Sequence, residues 1–312
     1  MKGNDFLEKV KENIGKVIVG KEDVITLLVT AIVADGHVLL EDVPGTGKTM
    51  LAKSLAKTMD AQFRRIQFTP DLLPGDITGI NVYNQKEEAF VLKKGPAFTN
   101  ILLADEINRA TPRTQAGLLE CMEERTITID GTSYAAGEPF FVIATQNPVE
   151  TAGTFPLPEA QMDRFMMQLA MELPSVEEEV SILTRFLKEE PLAELVPQVS
   201  TEDVLAARTS AKDVYVADCV LEYIAQIAKA TRDKRETVMG VSPRGTLALL
   251  RAAKAYAYLM GRDFVVPDDV KTLAIPCLAH RIVLQYGKGE EVKGYMKRVL
   301  ESVPVPTEDF ER

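Results

Sequence analysis

His37-Val38-Leu39-Leu40-Glu41-Asp42-Val43-Pro44-Gly45-Thr46-Gly47-Lys48-Thr49 is the stretch on which the fold turns. Val38 to Leu40 form an unbroken apolar run, the pattern of a buried strand, and the chain then enters a Pro/Gly turn. Lys48 and Thr49 open a helical segment, Met50 to Met59. A strand, a glycine loop and a helix start together build an anion site. The loop's N–H groups converge, and the helix dipole adds about half a positive charge. In such a P-loop, Lys48 reaches the β- and γ-phosphates of a nucleoside triphosphate and the Thr49 hydroxyl ligates Mg2+. The cradle then comprises Val43, Pro44, Gly45, Thr46, Gly47, Lys48, Thr49 and Met50. One position departs from the pattern: Asp42 stands where its first glycine usually sits. Gly45 and Gly47, where backbone must approach phosphate, are kept, and Pro44 stiffens the turn.

N-terminal to this stretch, Met1 to Ile14 reads as a short amphipathic helix and Glu22 to Ala34 as a second one. The apolar turn Val17-Ile18-Val19-Gly20-Lys21 between them lies either against the nucleotide base, through Val19 and Gly20, or as a loop docked on the core. C-terminal to it, Phe63 to Phe68 alternates as a strand. Thr69 to Gly79 holds two prolines and two glycines and cannot continue a regular helix, and Tyr83 to Phe90 is a hairpin or a mobile loop. About thirty residues thus precede the next strand, more than a simple crossover needs.

Ile101-Leu102-Leu103-Ala104-Asp105-Glu106 is the second anchor. An apolar run without a polar break is the pattern of a central parallel strand, and its C-terminal end is where open α/β sheets place ligands. Asp105 suits direct or water-mediated coordination of Mg2+, and Glu106 suits polarising an attacking water. Thr111-Pro112 caps a helix to Glu124, and Thr126–Ile129, Asp130-Gly131 and Thr132–Ala135 read as a β-hairpin. The strand Phe140 to Thr145 leads to Asn147, whose amide is placed to hold the attacking water or touch the γ-phosphate. A last strand runs from Phe165 to Leu169. Beyond Leu173-Pro174, Ser175-Val176-Glu177-Glu178 is a capping box, and helices are predicted at about 175–190, 202–209, 216–232, 243–260, 267–280 and 290–302. Ser242-Pro243 caps the clearest of them. Arg244 in its first turn opposes the helix dipole, a placement that hints at function.

The 312 residues suggest about two domains, and 46% hydrophobic with 26% charged residues is ordinary globular composition. Apolar runs fall far short of the ~18 residues of a membrane span, and the charged N-terminus is no signal peptide, so the expected compartment is cytoplasmic. A net charge of −10 argues against a globally basic, nucleic-acid-binding surface. Cys121, Cys219 and Cys277 lack ligand-like spacing and read as small buried hydrophobes of a reducing compartment. With only His37 and His280, a His-based metal site or a Ser-His triad has almost nothing to draw on.

Five phrases together resemble the MoxR family of AAA+ ATPases. They are Leu40 to Thr49 above, Gln67-Phe68-Thr69-Pro70-Asp71-Leu72-Leu73-Pro74-Gly75-Asp76-Ile77-Thr78-Gly79, Leu103-Ala104-Asp105-Glu106-Ile107-Asn108-Arg109-Ala110, Ala144-Thr145-Gln146-Asn147-Pro148, and Pro158-Glu159-Ala160-Gln161-Met162-Asp163-Arg164-Phe165. The resemblance implies an α/β P-loop core at 1–174 with a central parallel sheet flanked by helices, a helix-2 insertion and a hairpin. It also implies a C-terminal all-α lid at 175–312. Lys48 and Thr49 become the Walker A residues, Asp105 and Glu106 the Walker B pair, Asn147 sensor 1 and Arg244 sensor 2. Arg164 becomes an arginine finger for the neighbouring subunit's γ-phosphate, with catalysis shared among Lys48, Glu106, Asn147, Arg164 and Arg244. The implied cofactors are ATP or ADP and Mg2+. The implied assembly is a homo-oligomeric ring, a hexamer, working on a protein client through partners with von Willebrand factor A domains. Chaperone-like remodelling, including cofactor or metal insertion, is the implied role.

Three rivals differ in class: a nucleic-acid motor, a magnesium-chelatase-type motor subunit, and a scaffold that binds ATP without turnover. Thr126 to Ala135 contains no Lys or Arg, which weakens the first. Intact Glu106 and Asn147 weaken the third. An enhancer-binding activator lacks support because its Gly-Ala-Phe-Thr-Gly-Ala loop is absent.

Overall fold

The computed structural model describes residues 1–41, 43, 45–147, 153–187, 190–307 and 310. Asp42, Pro44 and Pro148 of the motifs above lie outside the described residues. Helices α1 (Gly3–Gly15) and α2 (Glu22–Val33) precede strand β1 (Val38–Glu41), and α3 (Lys48–Thr58) and β2 (Phe63–Gln67) follow it. The insertion holds α4 (Pro74–Thr78) and the strands β3 (Gly79–Asn84) and β4 (Ala89–Lys94). Next come β5 (Ile101–Asp105), α5 (Pro112–Glu124), β6 (Thr126–Ile129), β7 (Thr132–Ala135), β8 (Phe141–Gln146), α6 (Glu159–Met162) and β9 (Met167–Leu169). The C-terminal part contains α7 (Val176–Phe186), α8 (Pro191–Glu194), α9 (Thr201–Lys212), α10 (Asp218–Ala230), β10 (Thr237–Met239), α11 (Pro243–Leu259), α12 (Pro267–Leu278), β11 (Val283–Leu284) and α13 (Glu290–Ser302).

Five strands form one parallel sheet in the order β2-β5-β8-β1-β9. Val38–Leu40, residues 101–104 and residues 141–144 are each at most 1% exposed, as strands covered by helices on both faces must be. Their period-2 alternation feeds two separate cores. Val38, Leu40, Ile101, Leu103, Phe141 and Ile143 join α1–α3 and the C-terminal helices. Leu39, Leu102, Ala104, Val142 and Ala144 face α5 and the two hairpins. On the first side the apolar packing runs without a break into the lid, where α11 meets α1, α2, α9, α10 and α12.

Local chemistry explains the insertions. Asp130 and Gly131 have φ of 48° and 80°, the pair of left-handed residues a two-residue hairpin turn needs, and they join β6 to β7. The segment 79–94 forms a six-pair antiparallel hairpin whose aromatic pair Tyr83–Phe90 sits edge-to-face at 5.5 Å. Within Thr69–Gly79, whose prolines and glycines cannot continue a regular helix, Pro74 starts the five-residue α4. Proline suits the first helical position, and the Asp76 carboxylate accepts the Leu73 N–H at 2.9 Å. The Ser175 capping box forms, with the Glu178 carboxylate accepting the Ser175 N–H at 2.7 Å, and α7 ends at Phe186 rather than near 190. Among its described residues the lid is mainly helical, with one short ladder, Thr237 opposite Leu284, and an isolated bridge between Tyr215 and Phe264, in segments too short to be read as strands.

His37, at the foot of β1, is buried between neighbours that fix its ring. Its Nδ1 accepts the Val142 N–H at 3.0 Å, and its Nε2 lies 3.0 Å from the Met122 carbonyl. Only the neutral Nε2–H form satisfies both. Burial first, and then the nearby Arg125 charge, hold its pKa well below the ordinary 6.5. His280 is lowered likewise by burial and by Arg281. The unfolded chain therefore binds protons that the folded chain refuses. Stability is complete above the unfolded pKa and falls as pH drops below about 6.5. Thermal unfolding followed between about pH 7.5 and 5.5 should show a falling midpoint, with a shallower slope in His37→Asn.

Candidate active site

The sheet's C-terminal edge carries a pocket of about 360 Å3. One wall is the loop and helix start at 45–50; the other is Arg65, Gln67, Asp105, Glu106, Thr145, Gln146 and Asn147, the ends of β2, β5 and β8. Gly45 and Gly47 have φ of 89° and 90°, and a Cβ on either would meet nothing within 4 Å. Their need for glycine is thus conformational, and the space above them is open to a ligand. Gly47 in the left-handed region caps α3, so the N–H groups of the helix's first turn begin at Lys48. The Lys48 ammonium donates to the Val43 carbonyl at 2.7 Å, which folds the loop over its own lysine.

Asp105 and Glu106 are set by one hydroxyl. Thr145 donates to Asp105 Oδ1 at 2.6 Å and accepts the Glu106 N–H at 2.8 Å. That bond steadies Glu106 in a left-handed conformation (φ 58°, ψ 50°) uncommon for a residue with a Cβ. The Glu106 carboxylate accepts from the Gln67 amide at 2.6 Å and pairs with Arg109 at 2.8 Å. Asp105 Oδ2 receives Arg65 at 2.7 and 3.1 Å. Arg65, Gln67, Arg109 and Thr145 were not singled out from sequence. The available signal was Phe63-Arg64-Arg65-Ile66-Gln67, a strand turning polar toward the end that lies beside Asp105.

Thr49 and Asp105 both line this pocket, one bringing a hydroxyl and the other a carboxylate. Among the described residues no group of three or more His, Cys, Asp or Glu is placed to hold a metal alone. The oxygen-only pair still fits Mg2+, which takes one or two protein ligands and completes its shell with water and phosphate oxygens.

Arg164 and Arg244 do not line the P-loop pocket. They meet instead on Glu123 of α5, where Arg164 Nη1 lies 2.8 Å from Oε2 and Arg244 Nη2 engages Oε1. Both arginines are partly exposed, on the rim of a second hollow of about 290 Å3 whose walls include Arg125, Arg251, Arg281, Asp35 and Asp163. The two hollows have no lining residue in common. Val19 is half-buried and outside the P-loop pocket. Gly20 lines a third hollow with Glu22, Asp23 and Glu172, and a Cβ there would strike the Glu178 carboxylate.

A glycine loop opening a helix after β1, an acid pair at the end of β5 with β8 between the two strands, and a C-terminal helical lid define an AAA-type P-loop ATPase. Comparison with known proteins agrees. The ATPase family associated with various cellular activities (AAA) matches residues 37–167, and the AAA lid domain matches residues 229–298. YeaC of Bacillus subtilis is 47% identical over 97% of this chain and 96% of its own. Chaperone MoxR1 of Mycobacterium tuberculosis is 39% identical over 96% and 82%, and protein MoxR of Methylorubrum extorquens is 30% identical over 97% and 96%. A solved structure from Cytophaga hutchinsonii superposes with a TM-score of 0.90 at 40% identity, covering 98% of this chain and 96% of that one. The chain belongs to the MoxR family of AAA+ ATPases. No helix among its described residues is long and apolar enough to cross a membrane.

Proposed function

We propose that this chain binds ATP with Mg2+ in the P-loop pocket, hydrolyses it to ADP and phosphate, and couples the cycle to chaperone-like remodelling or maturation of a protein client. The observation that carries this reading is the Thr145 hydroxyl, which joins both acids of the Asp105-Glu106 pair opposite the open glycine loop. We read the chain as two units, a P-loop core at 1–174 and a lid at 175–312. Residues 45–50 cradle the phosphates through backbone N–H groups, and Lys48 exchanges the Val43 carbonyl for the β- and γ-phosphate oxygens. Thr49 and Asp105 would hold Mg2+, which would supply neutralisation of phosphate charge. Glu106 orients and polarises the attacking water, and Asn147 holds that water or the γ-phosphate.

Arg164 and Arg244 complete a site from outside. Because they share Glu123 away from their own chain's P-loop pocket, they are offered together to the γ-phosphate of a neighbouring copy. Head-to-tail contacts of that kind close into a ring, for which six subunits is our reading. The name chaperone borne by the mycobacterial relative supports a protein client. A partner bearing a von Willebrand factor A domain, and metal or cofactor insertion, extend the same reading. Nucleic acid is disfavoured by the net charge of −10 and by a β6–β7 hairpin without Lys or Arg. We place the protein in the cytoplasm.

Isothermal titration with ATP and Mg2+ tests the site. Lys48→Ala should weaken binding by at least about tenfold, the value of one charge-assisted hydrogen bond pair. Undiminished affinity in that variant, or no affinity in the parent, overturns the reading.

A further inference from the structure

Arg281 follows α12 and is 3% exposed, an unusual depth for an arginine. Its guanidinium grips the chain on both sides of Arg164. Nε donates to Asp163 Oδ1 at 2.7 Å, Nη2 to the Asp163 and Phe165 carbonyls at 3.1 and 2.7 Å, and Nη1 to the Met166 carbonyl at 3.2 Å. Nη1 also reaches the Cys277 carbonyl in the last turn of α12, so the Arg164 loop is tied to the lid. The same Asp163 carboxylate accepts the Ser242 hydroxyl at 3.0 Å. Ser242 is the N-cap of α11 and accepts the Gly245 N–H at 3.2 Å. Arg244 sits inside that capped turn. One continuous network therefore runs from the loop carrying Arg164, through Asp163 and Arg281, to the helix start carrying Arg244, and both arginines end on Glu123.

Gly245 makes room for it. A Cβ there would lie 2.8 Å from Arg281 Cδ, 3.2 Å from its Nε and 2.9 Å from Val241 Cγ1. A buried ion pair is weak evidence for stability, since apolar residues of equal volume often hold a core as well. What the planar guanidinium gives, and apolar packing does not, is orientation: its five N–H groups lie in a fixed fork. Here that fork addresses backbone carbonyls on both sides of one functional residue.

We propose that Arg281 is a positioning residue that holds Arg164 and Arg244 as a single unit for presentation to the neighbouring copy's nucleotide. The inference rests on the reading of those two arginines as trans-acting. A lid held this way carries both cations together when it moves.

The test uses the full chain in mixed oligomers. Arg281→Lys keeps the charge and loses the fork, and a misplacement of about 1 Å at a catalytic group costs on the order of 100-fold in turnover. Turnover should fall by that factor while ATP affinity stays at the parent value. Mixed with Lys48→Ala, whose arginines are intact, Arg281→Lys subunits should regain turnover at their own P-loops. Mixed with Arg164→Ala they should not. Gly245→Ala, which removes no charge and raises helix propensity, should behave the same way and serves if Arg281→Lys fails to fold. A merely structural role would lower ATP affinity along with turnover and show no rescue by Lys48→Ala. Full turnover in both variants, or failed rescue while the Arg164→Ala and Lys48→Ala mixture recovers, overturns the role of Arg281 and leaves the trans reading standing. Failed rescue in that reference mixture removes the trans reading, and the proposal with it.

Discussion

Glu106→Gln is expected to bind ATP as tightly as the parent and to turn it over about 10²–10⁴-fold more slowly, the range supplied by a positioned general base. The structure separates the two effects. The bond that holds the left-handed turn at residue 106 runs from its backbone N–H to Thr145, and a side-chain change leaves it in place. The loop at 45–50, Lys48 included, lines the pocket from a separate segment of the chain. The amide keeps the size of the carboxylate and a lone pair for Gln67, but it loses the charge that pairs with Arg109 and polarises water. Steady-state phosphate release set beside equilibrium binding of ATP and Mg2+ reads both. Parent-like turnover would exclude Glu106 from the chemistry; lost binding would make it a nucleotide ligand instead.

The parts of this site that could be read from sequence are those that local chemistry determines. A strand ending in a glycine turn and Lys48-Thr49 can be recognised within thirteen residues, and the apolar run ending at Asp105-Glu106 declares a buried strand by its lack of alternation. What escaped depends on order and distance. Arg65 and Gln67 matter because β2 lies beside β5, a neighbour relation that crossovers set and spacing does not record. Thr145 looked like one more β-branched residue of a strand until β8 was placed against β5. Glu123 reads as an ordinary acid near a helix end, yet it collects one arginine from the core and one from the lid. The unfavourable placement of Arg244 at a helix start was a legible hint that the residue was kept for another purpose. The direction in which it points was not legible, because that is fixed by how the lid packs on the sheet.

That direction carries the second large effect. Arg164→Ala should lower turnover by about 10³–10⁵-fold, the value of an arginine finger supplied to a phosphoryl-transfer site. A single carboxylate, Glu123, stands between Arg164 and Arg244, so approach of a neighbour's triphosphate replaces one shared anion with a more highly charged one. Lys48→Ala should be as inactive for the opposite reason, having arginines to offer and no nucleotide to receive them. In an equal mixture, about a quarter of head-to-tail interfaces pair an intact P-loop with an intact arginine, because each subunit is drawn independently with a chance of about one half. Two inactive proteins should therefore yield on the order of a quarter of parent turnover per subunit, far above either alone. Arginines that served their own chain's nucleotide would give no such recovery, since every subunit in the mixture lacks either the finger or the P-loop lysine. Phosphate release from the mixture, measured alongside its oligomeric state, separates the two arrangements: recovery requires the trans site, and its absence in assembled mixed rings rejects it.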